Sequence, residues 1–367
     1  IVGTNPNRGS GSIGATPAGA DLTITGSDPA IDTNPSGGVG TQWSNSSTDD
    51  FYILTDATAG ANVWSNVDND GDDVEPFRFP GSSYGYIFGG TIPTTNVIER
   101  LGLSSDGNAT DVGDILEGGG ERTGCSMPTH GYCASGYPPS GNTDRIERMS
   151  FSAEGNTTDV GNLSSARRDT GSCSSETHCY WMGQGNIIER SAHASSADAV
   201  DVGDATVAYS HAAGSSDIGD GYGYIHGGFV SSAQSVYIER FQMVSSANGA
   251  DVGDLAVGAG QTGGTSSLTY GYNMGSGSAT RTDTIQKFAF ASSAAGSDIS
   301  NLSQAIWVSS GVSSFTHGYS CGGDNGSGGG SPVNVMEKWP YASDSNSSDV
   351  GDLTASKNYL GPTGAQY

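Results

Sequence analysis

Positive charge is scarce in this sequence. Lys and Arg supply 14 of the 367 residues, whereas Asp and Glu supply 39, so the formal net charge at pH 7 is −25. Such an acidic surface repels the phosphates of nucleic acids and the headgroups of anionic lipids. We therefore expect this protein to have no nucleic-acid partner.

Long apolar runs and familiar catalytic motifs are also missing. No window holds about 18 consecutive apolar residues, so the sequence predicts no membrane-spanning helix and no membrane insertion. It contains no nucleophile elbow, no phosphate-binding Gly loop that opens a helix, and no His-x-x-x-His pair. These absences favour a protein without catalytic activity.

Cysteine is sparse as well. The five cysteines show no Cys-x-x-Cys spacing of the kind that holds zinc. Cys125 with Cys133, and Cys173 with Cys179, are close enough in sequence for each pair to bridge a local hairpin. The alternative is a set of small buried thiols, because free cysteine is among the most buried residue types.

What the sequence does contain is a repeat. Gly accounts for 58 residues, more than twice its usual share, which favours many turns and short strands. The tetrapeptide Asp-Val-Gly-Asp, or a close variant, recurs at intervals of 42 to 51 residues, starting at Asp111, Asp159, Asp201, Asp251, Asp298 and Asp349. A period in this range is typical of stacked or radially arranged supersecondary units.

Two further signals keep the same order in every unit. A Tyr-containing segment runs into Gly, as in 85–90, and an apolar-acidic-basic triplet follows, as in Ile98-Glu99-Arg100. Short strand-forming segments separated by Gly, Ser, Asn and Asp predict four strands per unit, which is the content of a β-propeller blade. We therefore predict an all-β fold with a six-bladed β-propeller at residues 81–367.

The two ends of the repeat are out of register with each other. The repeat opens on the Tyr strand at Tyr84 to Gly90 and lacks the first strand of its unit, whereas one strand, Leu353 to Leu360, remains after Asp352. We predict that these two segments pair and close the propeller, which would remove its exposed edges.

Residues 1–80 do not share the repeat. Residues 1–40 are rich in Gly, Pro, Thr, Asn and Asp and predict an extended assembly arm. Residues 41–80 predict a small β-hairpin module followed by an acidic linker, with strands around Trp43, Phe51–Leu54 and Val63–Trp64.

The acidic linker offers the one candidate metal site in the sequence. Asp68, Asp70 and Asp72 alternate around Gly71 as in half of a calcium loop, although the closing Glu is missing. Calcium is thus the only candidate cofactor, and a solvated turn is the alternative.

The repeated polar side chains invite a metal or catalytic interpretation, but structural roles explain them better. The Asp before each Gly is expected to accept backbone N–H bonds at a tight turn in which Gly supplies a positive φ. The Glu and Arg of the triplet point to opposite faces of their strand and are expected to pair with neighbouring strands. A ring with a polar edge stands two residues before each repeated Tyr, as Tyr84, His130, His178, Tyr222, Tyr270 and His317. Because Tyr replaces His in three units, we predict that this position packs rather than binds metal.

These residues carry a resemblance to known families. The Tyr strand ending in Gly-Gly, a variable loop and a strand carrying Glu resemble the kelch repeat of β-propellers. The segment 98–115 more closely resembles kelch-like repeats in virion structural proteins of marine bacteriophages, cyanophages among them, and Trp43 to Trp64 is similar to a short module of such proteins. The resemblance covers 41–67 and 82–367. The sequence departs from the family pattern at Ser191, where an aromatic residue is expected, and at Gln286, Ser300 and Asn301.

The resemblance implies an extracellular virion protein. A tail fibre, tail appendage or surface protein would have copies of itself and other virion proteins as partners, and would serve in assembly and in attachment to host-surface glycans. Two alternatives remain open: a subunit of an extracellular filament, and a secreted propeller enzyme acting on polysaccharide. An enzyme should break the repeat with unmatched Arg, His, Glu or Tyr residues that converge from a few units.

The loops after the Tyr strands vary most between units. Rigid scaffolds with variable loops commonly place recognition in those loops. Because flat side chains suit stacking on sugar rings, we predict Tyr137, Trp181 and Phe229 as ligand-binding residues, all on one face. Neutral drift in exposed loops is the alternative.

Overall fold

The computed structural model describes most of the chain as β-structure. The described residues are 22–58, 62–67, 73–74, 81–192, 196–277, 281–292, 295–326, 331–361 and 364–366. They divide into two compact units, residues 1–77 and 78–367. Within these described segments there is no helix, and so no helix long and apolar enough to cross a membrane.

The first unit contains a four-stranded sheet in the order β1-β2-β3-β4. Its strands are β1 (Leu22–Thr25), β2 (Gln42–Asn45), β3 (Phe51–Asp56) and β4 (Val63–Asn66), and β1 runs parallel to β2. A small core of Tyr52, Leu54 and Trp64 holds it together.

This sheet changes the predicted division of the N-terminal region. Residues 22–25 pair with β2, and the Asn62 amide nitrogen donates to the Ile31 carbonyl over 2.8 Å. Part of the predicted arm, residues 22–25, thus belongs to the sheet of this unit, a pairing with distant residues that local composition does not reveal. The assembly role of residues 1–40 stays a prediction. Residues 1–21 of the predicted arm, and Asp68, Asp70 and Asp72 of the calcium candidate, lie outside the described residues.

Among its described residues, the second unit contains six antiparallel sheets of four or five strands, an arrangement compatible with a β-propeller. The first repeat sheet consists of β5 (Tyr84–Phe88), β6 (Val97–Gly102), β7 (Thr110–Asp114) and β29 (Ala365–Gln366). The second consists of β8 (Thr123–Ser126), β9 (His130–Ala134), β10 (Thr143–Ser150) and β11 (Thr158–Arg167). The third consists of β12 (Gly171–Ser174), β13 (His178–Met182), β14 (Gly185–Ala192) and β15 (Val200–Tyr209).

The remaining three sheets follow the same plan, with one short extra strand. The fourth consists of β16 (Ala213–Asp217), β17 (Tyr222–His226), β18 (Phe229–Val230), β19 (Ala233–Gln242) and β20 (Ala250–Ala259). The fifth consists of β21 (Gly263–Ser266), β22 (Tyr270–Ser276), β23 (Thr282–Ala289) and β24 (Ser297–Ile306). The sixth consists of β25 (Ser310–Ser313), β26 (His317–Cys321), β27 (Val333–Pro340) and β28 (Ser348–Lys357).

The repeated tetrapeptide lies within a strand and not at a turn. In the second sheet β11 runs through Asp159 to Arg167 and pairs with β10, with a β-bulge opposite Ile146 and Glu147. The Asp159 carboxylate accepts a hydrogen bond from the Gly161 N–H over 3.2 Å, and Gly161 has φ +152°. The predicted hydrogen bond from the Gly N–H to the Asp carboxylate and the positive φ of Gly are confirmed. They belong to a bulge in the strand that carries the tetrapeptide, here called the outer strand, and not to a tight turn.

The first strand of each sheet from the second to the sixth is here called the inner strand. These strands are built from small residues that sequence inspection did not single out. The tetrapeptides Gly171–Ser174, Gly263–Ser266 and Ser310–Ser313 are buried at every position. Neighbouring inner strands lie so close together that some positions require glycine, because a Cβ on Gly214 would lie 2.0 Å from the Ser172 carbonyl oxygen. Without an apolar alternation, such segments resemble turns in sequence, and this is why they were missed.

The predicted closing strand was misplaced because the inner strands were not recognised in the sequence. Residues 353–357 belong to β28 and pair with β27, so the predicted pairing of Leu353–Leu360 with the Tyr84 strand is wrong. Ala365 and Gln366 instead pair with Tyr86 and Gly85 of β5. C-terminal and N-terminal segments of the repeat thus share a sheet, but the pairing residues lie beyond those predicted.

The triplet Glu forms a hydrogen bond from each sheet to the preceding one. Glu147 is fully buried and accepts from the Leu116 N–H, just after β7 of the first sheet, over 2.9 Å, and Arg122 Nη1 lies 3.1 Å from its other oxygen. Glu99 of the first sheet makes the equivalent contact with the Thr354 N–H of the sixth, also over 2.9 Å. The expected pairing of the triplet Glu with neighbouring strands is confirmed. Equivalent contacts join Glu189 to Ser164, Glu239 to Thr206, Gln286 to Val257 and Glu337 to Ser303.

The cysteines are all free and buried. Burial raises the pKa of the Cys133, Cys173, Cys179 and Cys321 thiols. The two hairpin disulfides considered from sequence are not formed, and the thiols pack as small apolar groups.

Candidate functional site

The variable loops and the connections between sheets meet at one end of the repeat sheets, here called the loop face. It comprises the segments 89–96, 119–122, 135–142, 167–170, 183–184, 209–212, 227–232, 260–262, 307–309, 322–326 and 358–361. Isolated bridges join the two kinds of segment, Gly120 with Tyr137 and Ser210 with Phe229. Antiparallel strand order explains this, because the second strand ends where the fourth strand also ends.

Tyr137 is an exposed aromatic residue on the loop face. It is 47% exposed, and the Arg168 guanidinium stacks on its ring at 4.4 Å from the centroid. Its backbone N–H donates to the Gly120 carbonyl over 2.9 Å, which fixes the loop against the connection that follows the first sheet. Tyr137 therefore presents one ring face to solvent from a rigid backbone, as the prediction requires.

Phe229 lines a groove on the same face. The groove has a volume of about 510 Å³ and lies between the loops of the third and fourth sheets, with Gln184, His211, Ser231 and Ser232 among its walls. The Phe229 ring meets the His211 imidazole edge-on with centroids 5.9 Å apart. This volume is within the range of small-ligand sites, and its walls combine the rings of Phe229, Tyr209 and His211 with hydroxyl and amide groups.

Trp181 does not share this position. It is fully buried in the core between the second and third sheets, and its indole N–H donates to the Ser191 hydroxyl over 3.0 Å. With no free ring face, Trp181 cannot stack on an external sugar, and its assignment as a surface aromatic is wrong. It lies in strand β13, whose short hydrophobic run turns inward on both faces. Ser191, which departs from the repeat pattern, is the hydrogen-bond partner of this indole.

One backbone position recurs in the connections of the loop face. Two residues before each inner strand from the second to the sixth sheet, a non-glycine residue has φ between +52° and +60°. The left-handed conformation costs an L-residue about 1 kcal/mol. Because it recurs at the same position in five connections, it is a feature of the scaffold, whereas the side chain at this position differs from one connection to the next. The residues at this position are Glu121, Asp169, His211, Gln261 and Val308, and Tyr359 has the same conformation, φ +51°, before the last segment.

Three of these side chains converge. His211 Nε2 lies 2.9 Å from Asp169 Oδ1, and the metal-binding atoms of Glu121, Asp169 and His211 all lie within 4.8 Å of one another. We call these three residues the acid–histidine cluster. The cluster borders a cavity of about 20 Å³ whose other walls are Gln261, Thr262, Val308 and Leu360. Arg168 approaches from outside, with its Nε 3.5 Å from Glu121 Oε2 and 3.5 Å from Asp169 Oδ2.

The electrostatics of the cluster are unfavourable to two free carboxylates. Burial and, after it, the neighbouring Asp169 charge raise the pKa of Glu121 to about 7, against the attraction of Arg168 and His211. With this pKa Glu121 is near half-protonation at neutral pH, and an additional positive charge in the cluster would favour its ionised form. Such an arrangement is able to bind a proton or a cation, and to exchange one for the other.

Sequence inspection missed the cluster. Its members are separated by 48 and 42 residues (169 − 121 and 211 − 169), the interval of the repeat itself, and each lies in a short connection without a motif. Aligning the residue two before each inner strand would have shown acid, acid and His side by side. That alignment required the Gly/Ser inner strands, which were taken for turns.

The repeated rings, by contrast, are scaffold residues. His130, His178 and His317 each contact the hydroxyl of the preceding Thr at 2.8 Å and tilt against the Tyr two residues on. Tyr84 and Tyr222 hold the guanidinium groups of Arg100 and Arg240 over their rings at 4.5 Å. These contacts fit the predicted packing role.

Comparisons with known proteins identify no relative: no protein-family model matches the chain, and a search of curated proteins gives no significant match.

Proposed function

We propose that the six repeat sheets are the blades of a kelch-like β-propeller closed by the pairing of β29 with β5. Support comes from hydrogen bonds that link neighbouring inner strands in order. Each joins a backbone N–H to a Ser hydroxyl of the next sheet over 2.9 Å, from Ser126 to Ser174, Ser174 to Ser216, Ser216 to Ser266 and Ser266 to Ser313. The Gly364 N–H, one residue before β29 of the first sheet, donates to the Gly311 carbonyl of the sixth sheet over 2.7 Å.

We propose that this scaffold is a non-enzymatic, extracellular structural protein of a virion, such as a tail fibre or another appendage, which attaches to host-surface glycans. The observation that carries the attachment role is the groove beside Phe229, a concave surface with aromatic walls and several hydroxyl and amide groups. The buried triplet acids join neighbouring sheets and the ring residues pack within their own sheets, so the loop face is the part of the repeat unit left for recognition. Assembly with copies of itself and with other virion proteins is part of the same proposal.

Glycan binding tests the attachment role directly. Phe229→Ala and Tyr137→Ala are expected to lower binding of the purified protein to host-surface polysaccharide, measured on a glycan array and by adsorption to host cells. Tyr270→Ala is the matched control, because Tyr270 is a similarly exposed aromatic that begins strand β22, at the end of the sheets opposite the loop face. Equal binding by the folded Phe229→Ala and Tyr137→Ala proteins would remove the loop face as the receptor site.

A secreted enzyme acting on polysaccharide is the second candidate, and one observation favours it. The acid–histidine cluster is the kind of asymmetric break in the repeat that a catalytic site requires, and His211 also lines the groove. Incubation with neutral and acidic polysaccharides, followed by assay for new reducing ends and for unsaturated products, separates the two functions. Product formation that disappears in His211→Gln would replace the structural role with a catalytic one.

A filament subunit is distinguished by stoichiometry. Electron microscopy of the source material is expected to show a few copies at one place on a particle for an appendage. Continuous polymers would identify a filament instead.

A further inference from the structure

The acid–histidine cluster has the donor set of a metal site. Two carboxylates and one imidazole converge on a cavity of about 20 Å³, which accommodates a single ion or water molecule. Ligands on one Zn²⁺ lie roughly 3.3 Å apart when their bonds are near 2.0 Å. Donor atoms already within 4.8 Å of one another reach that spacing with small rotations of their side chains.

A second observation is that the cluster contains buried polar atoms without a hydrogen bond. Asp169 is 5% exposed, and its Oδ1, which faces the cluster, has no hydrogen-bond partner with acceptable geometry, although His211 Nε2 lies 2.9 Å away. Glu121 Oε2 and His211 Nδ1 are likewise buried without a hydrogen bond. Buried polar atoms normally find a partner, and a cation bound in the cluster would supply one for Asp169 Oδ1 and Glu121 Oε2.

The charges in the site favour a divalent cation over an anion or a neutral ligand. When both carboxylates are ionised, they outnumber the single Arg168 guanidinium that approaches them, so the site attracts a further positive charge. In the described part of the chain, each member of the cluster lies on a connection held in the left-handed conformation, so the donors are positioned by the backbone. A nitrogen donor with few oxygens suits Zn²⁺ or Mn²⁺ better than Ca²⁺, which takes six to eight oxygens.

We propose that Glu121, Asp169 and His211 bind one divalent transition-metal ion, with Zn²⁺ as the best fit. The ion would bridge the connections before the second, third and fourth sheets and lie beside the groove, because His211 borders both. This inference does not depend on the proposed virion role, since the same three residues would bind the metal in any protein built on this scaffold. The occupied site would stabilise the loop face by linking three successive sheets.

Metal titration tests the proposal. The full chain, stripped with a chelator and checked by circular dichroism, is titrated with Zn²⁺, Mn²⁺ and Ca²⁺ chlorides by calorimetry, and its thermal unfolding is recorded with and without each ion. We expect one Zn²⁺ per chain, a raised melting temperature, and a weakening of about 100-fold or more in Asp169→Asn. Co²⁺ substitution adds an independent readout, because its visible absorption reports the nitrogen and oxygen ligands and their number.

The control is Asp217→Asn. Asp217 is 4% exposed and belongs to the fourth sheet but not to the cluster, so this variant removes a buried carboxylate and should leave Zn²⁺ affinity unchanged. If Asp169→Asn does not fold, Glu121→Gln, whose side chain is partly exposed, provides the same test. Absence of Zn²⁺ and Mn²⁺ binding to the folded wild type at millimolar concentration overturns the proposal. So does binding of equal affinity in Asp169→Asn or Glu121→Gln, or binding of Ca²⁺ alone.

Discussion

At the scale of single residues, the buried polar groups of this protein are held in defined networks. His226 is fully buried in the fourth sheet, where the third and fifth sheets have Met182 and Met274. The Asn273 side-chain nitrogen lies 3.0 Å from its Nδ1, so Nε2 carries the proton and donates to the Ser215 hydroxyl over 2.9 Å. That hydroxyl donates in turn to the Thr265 carbonyl. A neutral imidazole satisfies this network, whereas a charged one would bring two donors face to face.

His226 predicts acid sensitivity. Burial lowers its pKa to about 3, whereas an unfolded His titrates near 6.5, so the unfolded state binds one more proton between these values. The stability from neutral His226 is therefore present above pH 6.5 and is lost as the pH falls toward 3, at about 1.4 kcal/mol per pH unit. Urea unfolding at several pH values should show this slope in the wild type and a shallower one in His226→Met. Identical slopes would mean that His226 is not buried in its neutral form.

At the scale of elements, the bulge in each outer strand holds two sheets close together. A Cβ on Gly113 would lie 2.3 Å from the Gly155 carbonyl of the next sheet, and one on Gly351 would lie 2.4 Å from the Gly107 oxygen. The Asp114 N–H also donates to the Asn156 side chain over 3.0 Å, and the Asp352 N–H to the Asn108 side chain over 3.1 Å. The repeated tetrapeptide is therefore selected for contact between sheets as well as for its own conformation.

Alanine substitution separates these two requirements. Gly113 and Gly107 have nearly the same φ, +155° and +153°, but a Cβ on Gly107 meets nothing within 4 Å. Gly107→Ala is expected to cost the backbone strain alone, about 1–2 kcal/mol of unfolding free energy. Gly113→Ala should cost about 2 kcal/mol more, because its methyl group would collide with backbone of the neighbouring sheet. Chemical denaturation of both variants measures the difference, and equal costs would show that the two sheets do not approach this closely.

At the scale of the whole second unit, contacts join the first and sixth repeat sheets. Lys357 is almost fully buried, and its Nζ lies 2.5 Å from Glu99 Oε1. The apolar core between these sheets includes Ile87 and Leu101 of the first sheet and Tyr319 and Met336 of the sixth. Such contacts between residues far apart in sequence make unfolding of this unit cooperative.

Removal of the last strand tests the proposed closure. Deletion of residues 364–367 should expose the edge of β5, lower the melting temperature and promote aggregation, because an unpaired edge strand recruits other strands. A peptide of residues 361–367 added in excess should restore the melting temperature, and a scrambled peptide of the same composition should not. A truncated protein that melts like the intact chain and stays monomeric would argue against closure by this strand.

The sequence by itself determined the features that repeat locally. The strand that carries the triplet and the positive φ of the repeated glycines both follow from patterns within a few residues, since strand alternation and turn chemistry act over that range. The pairing of the triplet Glu with neighbouring strands and the packing of the repeated rings could also be anticipated, because the same kind of side chain recurs in every unit and indicates a scaffold role.

Only the tertiary structure decided the features that depend on neighbouring sheets. Ser172 and Gly214 form inner strands because small residues are required where several sheets crowd together, a condition with no local signal. Trp181 looks like a surface aromatic beside a loop and is buried because its strand is covered on both faces. Glu121, Asp169 and His211 are ordinary polar residues in separate connections, and they meet because each repeat returns the chain to the same place, one sheet further on.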